Sequence, residues 1–106
     1  MEKWLLIVES NCRDEDRESE FNTWYDTIHI PDILNDSPGF KSATRYVLNE
    51  SEPTKAKHIA IYEIETKDIS ETRNAHLKNV ANKKAVGRWT DLLQVTSRRV
   101  CKVQEW

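Results

Sequence analysis

The sequence predicts an α+β domain whose elements run β-α-β-β-α-β, a four-stranded antiparallel sheet with two helices on one face. Three observations carry that prediction. Trp4-Leu5-Leu6-Ile7-Val8 is apolar at consecutive positions, as in a strand covered on both faces. Between Phe21 and Asp32 the spacing becomes helical: Phe21, Trp24, Tyr25 and Ile28 fall within about a third of the circumference at roughly 100° per residue. Phe40–Leu48 and His58–Ile64 then alternate with the period of two that strands require.

The first strand is expected over Lys3–Glu9, followed by a polar loop over Asn11–Asp16. Asp14, Glu15, Asp16, Glu18 and Glu20 open the first helix, where carboxylates oppose the positive end of the helix dipole. That accounts for the acid run without a metal. Pro31 has no backbone N–H, and its ring disfavours helical geometry at Ile30, so the helix is expected to end near His29. Pro31–Leu34 then forms a short extra turn with proline at its first position. His29 sits one turn beyond Tyr25, on the flank of the apolar stripe.

Ser37-Pro38-Gly39 is a turn. In the next strand, Phe40–Leu48, one parity holds Phe40, Ser42, Thr44, Tyr46 and Leu48, and the other holds Lys41, Ala43, Arg45 and Val47. Asn49–Lys57 is a polar loop containing Pro53, too long for a tight hairpin. The third strand, His58–Ile64, sets Ile59 and Ile61 against Ala60, Tyr62 and Ile64, and its first residue His58 reads as a surface position after Lys57. Asp68 and Glu71 form a capping box for a helix reaching about Ala81. That helix is only weakly amphipathic, with Ile69, Leu77 and Val80 on its face and His76 at the edge. Ala85–Leu93 is ambiguous, a short helix around Trp89 and Leu92 being one option. Gln94–Glu105 is the last strand, and Trp106 ends the chain.

At 106 residues the chain is one domain, 1–106. With 38% hydrophobic residues and a mean hydropathy of −0.75, its core is modest. Two helices on one sheet face leave the other face bare, and contiguous apolar surface of that extent marks an interface, so dimerisation through the sheet is expected. A net charge of −2, with no basic run longer than Lys83-Lys84 or Arg98-Arg99, argues against nucleic acid. No apolar run approaches the roughly twenty residues that cross a bilayer, and Trp4–Val8 is too short for a signal sequence, so a cytoplasmic location is expected. Cys12 and Cys101 have no metal-ligand spacing and read as free thiols.

A cleft between the first helix and the sheet would collect Trp24, Tyr25 and His29, with Tyr46 and Tyr62 available from the strands. Which strand parity faces the helices stays open at this point. So does the role of His29, either a cation at the negative end of a helix dipole or an acid–base group in a pocket. His76 borders the same cleft from the opposite helix. Aromatic walls, phenol donors and an imidazole suit a flat, partly apolar molecule bearing a carbonyl or enol. Histidine would move a proton beside the carbonyl and tyrosine would steady the enolate oxygen. No nucleotide loop, zinc spacing or Ser-His-Asp order is present, so neither metal nor cofactor is expected.

The pattern Phe21-x-x-Trp24-Tyr25-x-x-x-His29-x-Pro31, followed by Pro38-Gly39-Phe40 and Ser42-Ala43-x-Arg45-Tyr46, resembles the EthD-like family of the dimeric α+β barrel superfamily of ferredoxin-like domains. The match is dense from about Glu20 to Tyr46, and beyond it only the order of elements agrees. The resemblance implies a ferredoxin-like fold, a homodimer and a pocket between helices and sheet. The superfamily includes lactone isomerases, polyketide cyclases, cofactor-free monooxygenases and haem-handling proteins, and it alone would prompt haem ligation by His29. The resemblance does not imply one reaction; taken with the site residues, it makes a small cofactor-free cyclase, isomerase or lyase acting on an aromatic or polyketide-like compound the expected function. In that reading His29 is the acid–base residue, Tyr25 assists, and Trp24, Tyr46, Tyr62 and His76 bind substrate. A non-catalytic ligand-binding or accessory protein and a cofactor-free monooxygenase are the alternatives.

Overall fold

The computed structural model describes residues 1–49 and 56–104. Pro53, the expected strand end at Glu105, and Trp106 lie outside the described residues. Four strands, β1 (Glu2–Cys12), β2 (Phe40–Val47), β3 (His58–Thr66) and β4 (Leu93–Lys102), form one sheet in the order β2-β3-β1-β4. Every neighbouring pair is antiparallel. The helical segments α1 (Glu18–Trp24), α2 (Ile30–Asp36) and α3 (Ile69–Ala85) complete the predicted βαββαβ order.

The core lies between the helices and the face formed by Leu6 and Val8 of β1, Ala60, Tyr62 and Ile64 of β3, and Phe40 of β2. Phe21, Trp24, Tyr25 and Ile33 press onto it from above, so the predicted apolar stripe faces inward. Burying a side chain such as Phe21 contributes about 2–3 kcal/mol.

The helix does not stop before Pro31. Tyr25–His29 form a π-helical turn in which the Ile30 N–H donates to the Tyr25 carbonyl five residues back, and α2 follows directly, with Ile30 itself helical. A proline ring normally strikes the carbonyl four residues before it. The wider turn relieves that conflict, so Pro31 rides within a continuous helical path. Single π turns recur at functional sites, and this one holds both Tyr25 and His29.

Two irregularities decide which side chains meet the helices. In β2 the register slips between Phe40 and Ser42, after which Ala43, Arg45 and Val47 pair with Tyr62, Ala60 and His58. Phe40 therefore faces the helices while Tyr46, of the same parity, points the other way. In β4 the register shifts opposite Glu9 and Ser10, so Val95 pairs with Ser10 and Arg98 with Val8. Val95 and Arg98, of opposite parity, thus share the helix face.

Asp68 caps α3 as expected, Oδ1 accepting from the N–H groups of Ser70 (3.0 Å) and Glu71 (3.2 Å). Thr66 Oγ1, rather than Glu71, accepts the Asp68 N–H. The helix continues past Ala81 to Ala85 and ends in a Schellman arrangement: Gly87 (φ +78°) donates to Lys84 and Arg88 to Lys83. No helix forms around Trp89, because that turn redirects the chain and lays the Trp89 ring against His29.

On the opposite sheet face, Ile7 pairs with Ile61 and Tyr46 with Ile59, all at least partly exposed. Cys12 and Cys101 are free thiols. Among the described residues no helix is long and apolar enough to cross a membrane.

Candidate functional site

His29 is buried at 7% exposure. Its ring stacks on Trp24 (centroids 4.6 Å apart, planes 13° apart) and meets Tyr25 and Trp89 edge-on at 5.1 and 5.0 Å. No hydrogen bond among the described residues engages its ring nitrogens. Desolvation pulls its pKa from 6.5 to about 4; His76, when protonated, and the Arg98 charge act in the same direction and Asp32 opposes them. His29 is therefore neutral at pH 7, which removes the reading of it as a cation at a helix end.

His76, on α3, faces the same space. Its ring stacks on Phe40 at 4.6 Å, and burial, then Arg98, lower its pKa to about 4. A hydrogen-bonded chain fixes its tautomer. Asn79 Nδ2 donates to the Asp32 carbonyl (3.2 Å) and to Ser37 Oγ (2.9 Å), and among the described residues the Ser37 hydroxyl has no acceptor other than His76 Nδ1 at 2.8 Å, to which its proton is assigned. Nδ1 accepts, and the ring proton resides on Nε2.

Tyr25 and Tyr62 come together below the histidines. Burial raises both phenol pKa values, Tyr62 well above its usual range, while the Arg45 guanidinium 4.4 Å above the Tyr25 ring works against that rise. Both stay protonated donors. The hydroxyls of Tyr25, Tyr62 and Ser10 lie close enough to bear on one another's ionisation. Even so, Tyr62 Oη and Ser10 Oγ are buried without a hydrogen-bond partner. Unpaired buried hydroxyls are uncommon and costly.

Tyr25, His29, Tyr62, His76, Trp89 and Arg98 border a cavity of about 30 Å³. That is room for a water or a single carbonyl group, not for a ring. Across His76, Val80 and Arg98 lies an apolar groove of about 80 Å³ beneath α3. A larger hollow of about 400 Å³ opens beside Gly39, Lys41 and Asp68, away from both histidines and the buried tyrosines.

The structure thus brings Tyr25, His29, Tyr62 and His76 to one cavity and leaves two expected residues out of it. Tyr46 is 50% exposed on the opposite sheet face, turned there by the β2 bulge. Trp24 is buried behind His29 as a stacking wall, its indole N–H donating to the Arg88 carbonyl at 3.3 Å. His58, expected at the surface, is 2% exposed. Arg45 only donates, so His58 Nδ1, 3.2 Å from Arg45 Nη2, accepts, and Nε2–H donates to Glu18 at 2.9 Å. Burial lowers the His58 pKa, with the Glu18 bond opposing, and the ring is a neutral link between helix and sheet.

Sequence reasoning missed Ser37, Asn79 and Arg98. Asn79 had a signal: in α3, Thr72, His76 and Asn79 recur at helical spacing, and Thr72 and Asn79 are buried while Leu77 is 59% exposed. The inward stripe is polar because the helix roofs a cavity. Ser37 and Arg98 had none; the β4 bulge alone sets Arg98 on the helix side of the sheet, where it stays exposed. Among the described residues no group of three or more His, Cys, Asp or Glu side chains is placed to hold a metal ion.

No family model and no curated protein matches the sequence. Solved structures do. A dimeric ferredoxin-like protein from an uncultured marine organism superposes with a TM-score of 0.64 at 16% identity, over 100% of this chain and 99% of that one. SnoaB, a cofactor-independent oxygenase from Streptomyces nogalater solved as a mutant, gives 0.58 at 13%, over 100% and 97%. An EthD family protein from Bacillus halodurans gives 0.53 at 12%, over 98% and 100%. At these identities the likeness is one of fold: a ferredoxin-like α+β domain, the fold that these dimeric ferredoxin-like and EthD family structures share.

Proposed function

We propose that the chain is a small cofactor-free enzyme, a cyclase, isomerase or lyase, that moves a proton on carbon beside a carbonyl or enol. The observation that carries this reading is a neutral His29, its ring nitrogens free of hydrogen bonds among the described residues, sharing one small cavity with the buried Tyr62 hydroxyl. His29 takes the proton. The Tyr62 phenol, with Tyr25 beside it, donates to the oxygen on which enolate charge collects, and His76 offers Nε2–H from the other wall. With its pKa held near 4, His29 is a weak base, so only C–H bonds acidified by two flanking carbonyls come within its reach, and the developing enolate charge stabilises the imidazolium that forms. That favours polyketide-like dicarbonyl compounds whose carbonyl enters the cavity while their ring stays outside it, in the adjoining groove. Pairing of the bare Ile7–Ile61 faces of two copies would give the homodimer that the sequence resemblance implies.

The test follows the exchange of the C2 protons of 1-phenyl-1,3-butanedione in D2O by NMR. Wild-type protein is expected to exceed the buffer rate, with His29→Ala slowing exchange about a hundredfold and Tyr62→Phe by a comparable factor. Equal rates for wild type and His29→Ala would remove the catalytic roles. Oxygen uptake matched to substrate loss would convert the reading to a cofactor-free oxygenase, the activity named for SnoaB. Tight retention of a ligand recovered unaltered would convert it to a binding protein.

A further inference from the structure

Two guanidinium groups border the apolar groove under α3. Arg98 comes from β4 and lines both the groove and the deep cavity, whereas Arg73 comes from α3 on the other wall. Neither meets a carboxylate among the described residues, and no acidic side chain lines the groove. Arg17, Arg45, Arg88 and Arg99, by contrast, each pair with a carboxylate at 2.7–3.3 Å. Between the two cations the walls are Leu6, Phe40, Ile64 and Val100 from the sheet, with Leu77 and Val80 from α3. The positive charge of Arg98 is felt at His29, His76 and Tyr25. A cationic mouth over an apolar trough, continuous with a polar end, has the complementary shape of an amphipathic anion.

We propose that the groove binds a small aromatic carboxylate, with Arg98 gripping the carboxylate, Arg73 assisting, and the ring lying along Phe40, Leu77 and Val80. Guanidinium geometry suits two parallel N–H···O bonds to one carboxylate. The apolar trough rejects an anion that has no apolar body. Bound there, the carboxylate offsets the Arg98 charge that disfavours protonation of His29 and His76, so anion binding and histidine basicity rise together. The assignment deepens the catalytic reading by naming its substrate class, but the anion site stands or falls on binding alone.

The experiment titrates the full chain with benzoate, benzamide and inorganic phosphate, following backbone amide shifts and the His76 Hε1 resonance by NMR. Benzoate is expected to shift residues of the groove and raise the His76 pKa, binding at least tenfold tighter than benzamide or phosphate. Arg98→Gln should weaken benzoate binding at least tenfold, Arg98→Lys less, and His29→Ala by under twofold. Unchanged wild-type amide dispersion in Arg98→Gln excludes misfolding as the cause. Equal affinity for benzamide, equal affinity for phosphate, or indifference to Arg98→Gln each overturns the proposal. Benzoate binding that needs Arg98, in a protein without C2 exchange activity, upholds the anion site and removes the catalytic reading; the reverse pair of results does the opposite.

Discussion

The Ser37 hydroxyl donates to Nδ1 of His76 across 2.8 Å, and that bond determines which ring nitrogen of His76 is left for the cavity. Ser37 is buried, so its loss strands both Asn79 and His76. Ser37→Ala is expected to cost about 1–3 kcal/mol in urea denaturation. It should also mix the His76 tautomers, whereas wild type shows the Nε2–H form alone in ¹⁵N-resolved imidazole spectra. A single unchanged tautomer in Ser37→Ala would show that the serine does not set it.

The two cavity histidines make stability pH-dependent in a stated direction. Both have folded pKa values of about 4 against 6.5 unperturbed, so between those values the unfolded chain binds protons that the folded chain refuses. The contribution is fully present above about pH 6.5 and is lost as pH falls through 6.5 towards 4. Each histidine accounts for about 2 kcal/mol of destabilisation between pH 7 and pH 5. His29→Phe, which keeps a ring in the stack, should remove about that much of the difference between denaturation curves at the two pH values. An undiminished difference would place the pH dependence elsewhere.

Arg45 ties helix to sheet at a single side chain. It donates to Asp26 (2.9 Å), Asn22 (2.8 Å) and His58 Nδ1 (3.2 Å) while lying over the Tyr25 ring. A lysine keeps the charge but cannot span those acceptors. Arg45→Lys should therefore lower stability by about 1–3 kcal/mol, and a change below about 0.5 kcal/mol would reduce the cluster to surface decoration.

The sheet face away from the helices gives the fourth prediction. Ile7, Ile59 and Ile61 sit there beside the exposed Tyr46. Sedimentation of the wild type should give a dimer, and Ile61→Glu, which buries a charge if that face is covered, should raise the dimer dissociation constant at least a hundredfold, about 3 kcal/mol. A variant that sediments as the wild type does would move the interface off this face.

Much of this was legible in the chain because it follows from local pattern. The apolar run of β1, the stripe Phe21, Trp24, Tyr25 and Ile28, and the alternation of β3 specify which surfaces must be buried, and βαββαβ is the arrangement that buries them. Tyr25 and His29 were readable as a pair for the same reason, being one helical turn apart. Three outcomes needed the assembled tertiary structure. The bulges in β2 and β4 reverse strand parity, setting Tyr46 on the outer face and the exposed Arg98 on the helix side, and a bulge depends on what the neighbouring strands pair with rather than on the strand's own alternation. The π turn carries the helix through Pro31, a rearrangement stabilised by packing onto the sheet rather than by propensity. Finally, burial sets the charge of His29, His58 and His76. Desolvation is a property of the whole surround, so the sequence determined which residues could do chemistry and the fold determined their protonation states.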